Sequence, residues 1–192
     1  GRLIMAIERL QRIPLEGVKV LFPNFSGLAN QYNAEGNRVF NVQISEEQKN
    51  LLEEQGFNVR EKEAYDPEDE PTYTLKVKVS YMFRQPRIVL ITSRGRTDLP
   101  EETIQILDWI DIEKADIWIT PSVWNKKDNP RYDPHVVASI DRSTAYLRSA
   151  YITQEEDEFD KKYADVPEAQ ESARASMFNP VEAEFDEENA PF

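Results

Sequence analysis

The clearest pattern in the sequence is Thr72-Tyr73-Thr74-Leu75-Lys76-Val77-Lys78-Val79-Ser80-Tyr81-Met82-Phe83-Arg84, in which apolar and polar side chains alternate. The odd-numbered positions from 73 to 83 are apolar or aromatic, and the other face carries Lys76, Lys78 and Arg84. Because successive side chains of a strand point to opposite faces, this stretch predicts a half-buried β-strand. Pro86 then interrupts the pattern.

Turn signals divide the rest of residues 1–154 into similarly short segments. Ser45 and Gln48 form a capping-box pattern, and Gly56 stands where a helix C′ residue is expected, so a short helix is predicted between them. Asp98, followed by Leu99-Pro100, predicts the start of a second helix. Further strands are predicted at residues 18–22, 39–44, 57–60, 87–92, 117–120, 136–140 and 145–152. The sequence therefore predicts a mainly β domain with short helices, built as a small barrel or sandwich.

Charge is distributed unevenly along the chain, whose formal net charge is −13. Residues 153–192 hold 13 Asp/Glu and 3 Lys/Arg, a net of −10, whereas residues 1–152 hold 23 and 20, a net of −3. Beyond Gln154 apolar residues are few, and such a segment cannot bury enough surface to offset its ordering entropy. We therefore predict a folded domain over residues 1–154 and an acidic, largely disordered tail over residues 155–192. A short helix around Tyr163 to Ala175 is compatible with the tail sequence.

Residues typical of catalysis or metal binding are scarce. The chain has no cysteine, one histidine (His135) and no Gly-rich phosphate loop. Asp66, Glu68, Asp69 and Glu70 are of the type that binds Mg²⁺, but they all lie in one loop, which favours a solvated loop over a metal site. No stretch approaches the roughly 20 consecutive apolar residues of a membrane span. These observations predict a protein that is not an enzyme, with no cofactor, no metal and no membrane contact.

Cations and aromatic residues cluster in a pattern typical of single-stranded nucleic-acid binding. Such proteins need a positive track for phosphates and flat side chains on which bases stack. The candidate phosphate contacts are Lys76, Lys78, Arg84, Arg87, Arg94, Arg96, Lys126 and Lys127. The candidate stacking residues are Phe25, Tyr32, Trp124 and Tyr132. Trp109 and Trp118 are predicted to belong to the core instead.

The last residues form a second candidate binding site. The chain ends Glu184-Phe185-Asp186-Glu187-Glu188-Asn189-Ala190-Pro191-Phe192, which resembles the acidic tip of bacterial SSB proteins. In such a tip a terminal Phe fills an apolar pocket, its α-carboxylate meets a basic group, and upstream acids steer towards a basic rim. We therefore predict partner contacts by Phe185, Asp186, Glu187, Glu188, Pro191 and Phe192.

Short motifs spread over residues 15–165 add to this prediction. They are Pro23-Asn24-Phe25-Ser26-Gly27, Tyr32-Asn33, Glu35-Gly36-Asn37-Arg38, Gly56-Phe57-Asn58-Val59-Arg60 and Ala145-Tyr146-Leu147-Arg148. Together they resemble a tailed-phage single-stranded DNA-binding family. The resemblance implies an OB fold and a role in DNA replication or recombination within the cytoplasm of an infected bacterium. Together with the acidic tip, this resemblance predicts two kinds of partner. They are single-stranded DNA at the β domain and a polymerase, helicase, primase or recombination enzyme at the tail.

Two alternatives remain open at this point. An acidic adaptor or DNA mimic would bind a basic host protein, and it would need an acidic face on the folded body. The near balance of charge over residues 1–152 disfavours it. A metal-dependent nuclease would need carboxylates from separate strands at one metal ion. The sequence leaves open the oligomeric state and the number of nucleotides covered.

Overall fold

The computed structural model describes residues 12–82, 84–124 and 142–167, with the side chains of residues 123, 124 and 142 excepted. These residues form eight strands, two α-helices and one 3₁₀ helix. The strands are β1 (Ile13–Asn24), β2 (Arg38–Ile44), β3 (Val59–Lys62), β4 (Thr72–Val79), β5 (Arg87–Thr92), β6 (Gly95–Asp98), β7 (Ile112–Trp124) and β8 (Arg142–Gln154). The helices are α1 (Glu46–Glu54), the 3₁₀ helix (Ile104–Asp108) and α2 (Glu158–Lys162).

Five of these strands close into a barrel. β1 pairs in antiparallel fashion with β2 and β7, β2 pairs with β4, and β7 pairs with β8. A short parallel pairing of β4 with β8, at Val77↔Ala145 and Lys78↔Tyr146, completes the ring. β3 adds to β4, and the β5–β6 hairpin adds to β8. A five-stranded ring of this connectivity is the OB fold, so the predicted OB-fold-like small barrel is confirmed.

Alternation of side chains along the strands fills the barrel. On β4, Leu75 and Val77 are buried while Lys76 and Lys78 are exposed, as the period of two predicts. The strand ends at Val79, although the sequence pattern continues to Arg84. The reason is the partner strand, since the β2–β4 ladder ends at Arg38↔Val79.

The predicted first helix is confirmed, whereas the second begins later than predicted, as the 3₁₀ helix Ile104–Asp108, so its predicted start at Asp98 is wrong. In α1 the Ser45 hydroxyl accepts from Gln48 N at 3.1 Å, and the Gln48 amide oxygen accepts from Ser45 N at 2.9 Å. Asp98, the predicted cap of a second helix, instead ends β6 and pairs with Val89 of β5. The four residues of β6 are polar or glycine and exposed, so they lack the apolar alternation by which a strand is recognised.

The chain divides into two compact units, residues 1–156 and residues 157–192. In the second unit, α2 ends at Lys162, and Asp157 caps it by accepting from Asp160 N at 2.7 Å. The helix predicted around Tyr163 to Ala175 is not found at residues 163–167, and its remainder lies outside the described residues, as does the whole predicted strand at 136–140. Among the described residues, no helix is long and apolar enough to span a membrane.

Candidate nucleic-acid interface

The outer surface of β2 and β4 forms the central face, defined by Val39, Asn41, Gln43, Thr74, Lys76 and Lys78. Lys76 lies opposite Asn41, and Lys78 lies opposite Val39. The two lysines are two residues apart on one strand, which places their Cα atoms about 7 Å apart. Within the part of the chain that the structure describes, neither lysine forms an ion pair. Both ammonium groups are therefore available to an anion.

The β1–β2 loop, residues 25–37, begins with a buried anchor. Phe25 is 0% exposed and its ring stacks on Phe40 with a centroid separation of 5.1 Å. The Asp108 carboxylate accepts from Phe25 N at 2.7 Å and from Ser26 N at 2.9 Å. The prediction that Phe25 stacks on bases is therefore wrong, because its ring is packed in the core.

Side-chain amides order the rest of the β1–β2 loop. Asn33 Nδ2 donates to the carbonyl of Leu28 at 3.1 Å and to that of Asn37 at 2.8 Å. Asn30 Oδ1 accepts from Tyr32 N at 2.8 Å. These bonds fix the backbone on both sides of Tyr32, whose side chain is 87% exposed. A loop ordered before binding loses less entropy when a ligand arrives.

Phe22 lies beside this loop and was not identified from the sequence. It belongs to β1, where the pairing register with β2 shifts between Leu21 and Asn24. Phe22 has a φ of +50°, which a residue of this type rarely adopts, and it is 79% exposed. Strain of this kind persists only where the surrounding structure enforces it, and it concentrates at functional sites. In the sequence, Phe22 closes an apolar run and resembles an ordinary core residue of a strand.

Two depressions cover the central face and its margins, with volumes of about 590 and 580 Å³. Both are lined by Tyr32, Asn33, Val39 and Lys76, so they form one continuous surface. The first continues along β4 to Lys78, Tyr146 and Met82. The second continues to Phe22, Asn24 and Arg60. The surface thus carries cations and exposed aromatic rings along its length.

Tyr81 lines the first depression next to a paired arginine. The Arg38 guanidinium lies 5.2 Å from the centre of the Tyr81 ring and bonds to Glu101 at 2.9 Å. Burial raises the pKa of the Tyr81 hydroxyl, and the charge of Arg38 opposes this only in part. Among the described residues, the hydroxyl oxygen is buried without a hydrogen-bond partner. It is therefore neutral near pH 7, with its donor unused.

The structure brings Tyr32, Lys76 and Lys78 together but places the predicted β5–β6 arginines elsewhere. Arg87 is bonded to Asp98 at 3.1 Å, and Arg94 and Arg96 belong to the hairpin that extends the sheet beyond β8. Arg84 lies in the β4–β5 connection.

Most of the remaining residues singled out from the sequence lie outside the described part of the chain, and two tryptophans contradict their prediction. The side chain of Trp124 lies outside the described residues, as do Lys126, Lys127, Tyr132 and the tip residues 185–192. Trp109 and Trp118 are 74% and 41% exposed, so their assignment to the core is wrong. Trp118 is on the outer side of β7, between the inward-facing Ile117 and Ile119.

A closed OB barrel whose outer β2–β4 face carries exposed lysines, with exposed aromatic rings beside that face, is typical of oligonucleotide-binding OB-fold proteins. The family model described as "Putative phage ssDNA-binding domain" matches residues 4–189. The chain belongs to this family.

Three solved structures of bacteriophage proteins are similar to this chain. The single-stranded DNA-binding protein of bacteriophage Enc34, as a C-terminal truncation, is 14% identical with a TM-score of 0.42, covering 76% of this chain and 87% of that chain. The Enc34 protein in complex with ssDNA is 11% identical with a TM-score of 0.45, covering 76% and 88%. The gp2.5 single-stranded DNA-binding protein of bacteriophage T7 is 12% identical with a TM-score of 0.37, covering 83% and 96%. No curated protein matches the sequence.

Proposed function

We propose that this protein binds single-stranded DNA without strong sequence preference, and that it acts in phage DNA replication or recombination. The observation that carries the proposal is the continuous surface on which Lys76 and Lys78, which form no ion pair with any described residue, adjoin the exposed rings of Phe22 and Tyr32. Family membership favours DNA as the ligand over the basic protein that an acidic adaptor would bind.

The chemistry of the surface suits a single strand. Ammonium groups of Lys76 and Lys78 neutralise backbone phosphates, while Tyr32 and Phe22 offer ring faces to unstacked bases. Stacking accepts every base, because each base has a π-face, so little sequence preference is expected. A duplex keeps its bases stacked inside the helix, and we therefore expect weaker binding to duplex DNA.

Fluorescence anisotropy with labelled oligo-dT and a matched duplex, over a range of salt concentrations, tests the proposal. The logarithm of the binding constant is expected to fall linearly with the logarithm of salt concentration, with a slope of about −0.7 per phosphate neutralised. Replacing Lys76 and Lys78 together by Gln is expected to make that slope less steep by about 1.4. Preference for duplex, or a response independent of salt, would contradict it.

A control variant removes the same charge elsewhere. Lys114→Gln with Lys161→Gln also deletes two positive charges, but Lys114 is on β7 and Lys161 is in α2, and neither residue belongs to the central face. This variant is expected to retain the wild-type salt slope. An equal reduction in both variants would mean that net charge, rather than the central face, governs binding.

The acidic tail is the second part of the proposal. Its last residues, above all Pro191 and Phe192, recruit a polymerase, helicase, primase or recombination enzyme to the coated strand. Phe192 offers an apolar anchor next to a run of acidic residues, so it is the expected hot spot. Pull-downs of purified replication enzymes with full-length protein and a Phe192-deleted form test this. Equal retention by both forms would contradict the recruitment role while leaving DNA binding intact.

A further inference from the structure

Three arginines from distant parts of the sequence converge on one region outside the central face. Ile13, Ile119 and Leu147 are paired across three neighbouring strands, β1, β7 and β8. Arg12 directly precedes Ile13, and Arg148 directly follows Leu147. Arg84 lies in the connection that leads from β4 to β5, and both of those strands pair with β8.

A β-bulge directs Arg148 to the outer surface. Leu147 pairs with Ile119 and Ser149 pairs with Trp118, which leaves Arg148 as the extra residue of β8. Leu147 and Ala150 are both buried, so alternation from either end of the bulge places Arg148 and Ser149 together on the outer side. Trp118, the opposite residue, faces outward. Arg148 therefore lies on the same outer side of the barrel as Trp118, whose pairing partner, Ser149, is the next residue of β8.

The positive charges of the three neighbouring arginines favour the binding of an anion. Burial lowers the pKa of Arg148, and the nearby positive charges of Arg84 and Arg12 lower it further. Within the described ranges, none of the three arginines forms an ion pair with a carboxylate. Asp116, which shares the outer side of β7, already accepts from Gly17 N at 2.7 Å. A bound phosphate would relieve the mutual repulsion of the guanidinium groups.

The cluster also continues the path of the central face. Lys78 pairs with Tyr146, which lines the first depression, and Arg148 is only two residues further along β8. Two strand residues span about 7 Å. A single strand of DNA that passes Lys78 and continues over the outer side of β8 therefore reaches Arg148 and the neighbouring arginines next.

We propose that Arg12, Arg84 and Arg148, together with Trp118, form a second contact site for single-stranded DNA. The guanidinium groups bind backbone phosphates and the indole stacks on a base. This inference rests on the proposed function, since it lengthens the path of the same strand around the barrel. It assigns a binding role to Trp118 and adds Arg12 and Arg148, neither of which is among the phosphate contacts predicted from the sequence.

The test measures affinity for oligo-dT as a function of length, from about 4 to about 24 nucleotides, which brackets the usual range for one OB fold. As the oligonucleotide is lengthened, the affinity of the wild-type protein is expected to rise first when the DNA is long enough to cover the central face. It is expected to rise again when the DNA is long enough to reach the arginines. The variant Arg12→Gln with Arg84→Gln is expected to lose the second gain only. Both residues are exposed, so the fold tolerates the change; Arg148 is left in place because it is partly buried.

Two further variants sharpen the result. Trp118→Ala is expected to weaken binding of long oligonucleotides by roughly 5- to 150-fold, the effect of losing one stacking platform, and to leave binding of short oligonucleotides unaffected. The control Lys114→Gln with Lys161→Gln is expected to retain both gains.

The possible failures are distinguishable. A wild-type protein that binds no strand of any length overturns the proposed function itself. Two other outcomes overturn the second site alone, provided that the wild-type protein binds DNA. In one, the arginine variant keeps the second gain in affinity; in the other, it loses affinity equally for short and long oligonucleotides.

Discussion

At the scale of single residues, Phe22 combines backbone strain with an exposed ring. Phe22→Asn removes the ring and introduces a residue that tolerates positive φ, so we expect unfolding free energy to stay constant or to rise by up to about 1 kcal/mol. Affinity for oligo-dT is expected to fall by about 1–3 kcal/mol. Thermal unfolding and anisotropy on the same sample measure the two effects. Weaker DNA binding without a loss of stability identifies a binding residue, whereas replacement of a packing residue would lower the stability.

The control for Phe22 is Tyr65→Asn, which removes a fully exposed aromatic ring from the acidic loop before β4. It is expected to leave affinity unchanged. A Phe22→Asn protein that loses stability and binds DNA normally would show that the ring packs against the barrel instead.

The buried hydroxyl of Tyr81 supports a second prediction at this scale. A buried hydroxyl without a partner costs about 1–3 kcal/mol, and Tyr81→Phe removes that cost while preserving the ring beside Arg38. We expect the melting temperature to stay constant or to rise. If the hydroxyl donates to DNA in the complex, anisotropy will show weaker binding by the more stable variant. A clear fall in melting temperature would mean that the hydroxyl has a partner in solution.

At the scale of elements, the β1–β2 loop depends on the close approach of Gly27 and Gly36. Gly36 N donates to the Gly27 carbonyl at 2.8 Å, and a Cβ on Gly27 would lie 3.2 Å from the backbone carbon of Gly36. Gly27 also has a φ of +73°, which an L side chain rarely adopts. Gly27→Ala is therefore expected to destabilise the protein by more than 1 kcal/mol and to weaken DNA binding by displacing Tyr32.

Gly36→Ala is the matched variant for this prediction. Its φ is +88°, but nothing lies within 4 Å of an added Cβ, so it tests backbone conformation without crowding. We expect a smaller loss of stability than for Gly27→Ala, as measured by denaturant unfolding. Equal losses in the two variants would show that the close contact contributes nothing.

At the scale of the whole molecule, the two residues that follow β8 form hydrogen bonds with the folded domain. Glu155 N donates to the Asp111 carbonyl at 2.8 Å, and the Glu156 carboxylate accepts from both the backbone N–H and the hydroxyl of Ser93. A truncation that retains residues 1–156 therefore keeps these contacts. A truncation at 154 loses them, and it is expected to melt at a lower temperature.

Removing residues 157–192 is expected to tighten DNA binding at low salt. This segment holds 11 Asp/Glu and 3 Lys/Arg, a net of −8, and a tethered anionic chain competes with DNA for the lysines and arginines. The gain is expected to shrink at high salt, where the Debye length is shorter. Titrations of both forms at two salt concentrations measure it. Equal affinity at low salt would mean that the tail does not reach the binding surface.

The sequence by itself determined the local features of this protein. The period of two from residue 73 to 79 places Lys76 and Lys78 outside and Leu75 and Val77 inside, because alternation depends only on neighbouring residues. The capping box of α1 is equally local, since its two hydrogen bonds join residues three positions apart. The concentration of negative charge after residue 152 is a property of composition alone.

Only the tertiary structure decided which of the irregular positions face the solvent. Phe22 and Phe25 are three residues apart in the sequence, yet a register shift in β1 turns Phe22 outward while Asp108 and Phe40 hold Phe25 in place. The bulge at Arg148 and the exposure of Trp118 likewise depend on pairing between β7 and β8. Strand register and bulges are set by partner strands distant in sequence, so no local pattern encodes them. Non-local pairing likewise closes the barrel between β4 and β8, and the pairings of β8 with β5 and β7, and of β7 with β1, bring the segments that carry Arg12, Arg84 and Arg148 into one region.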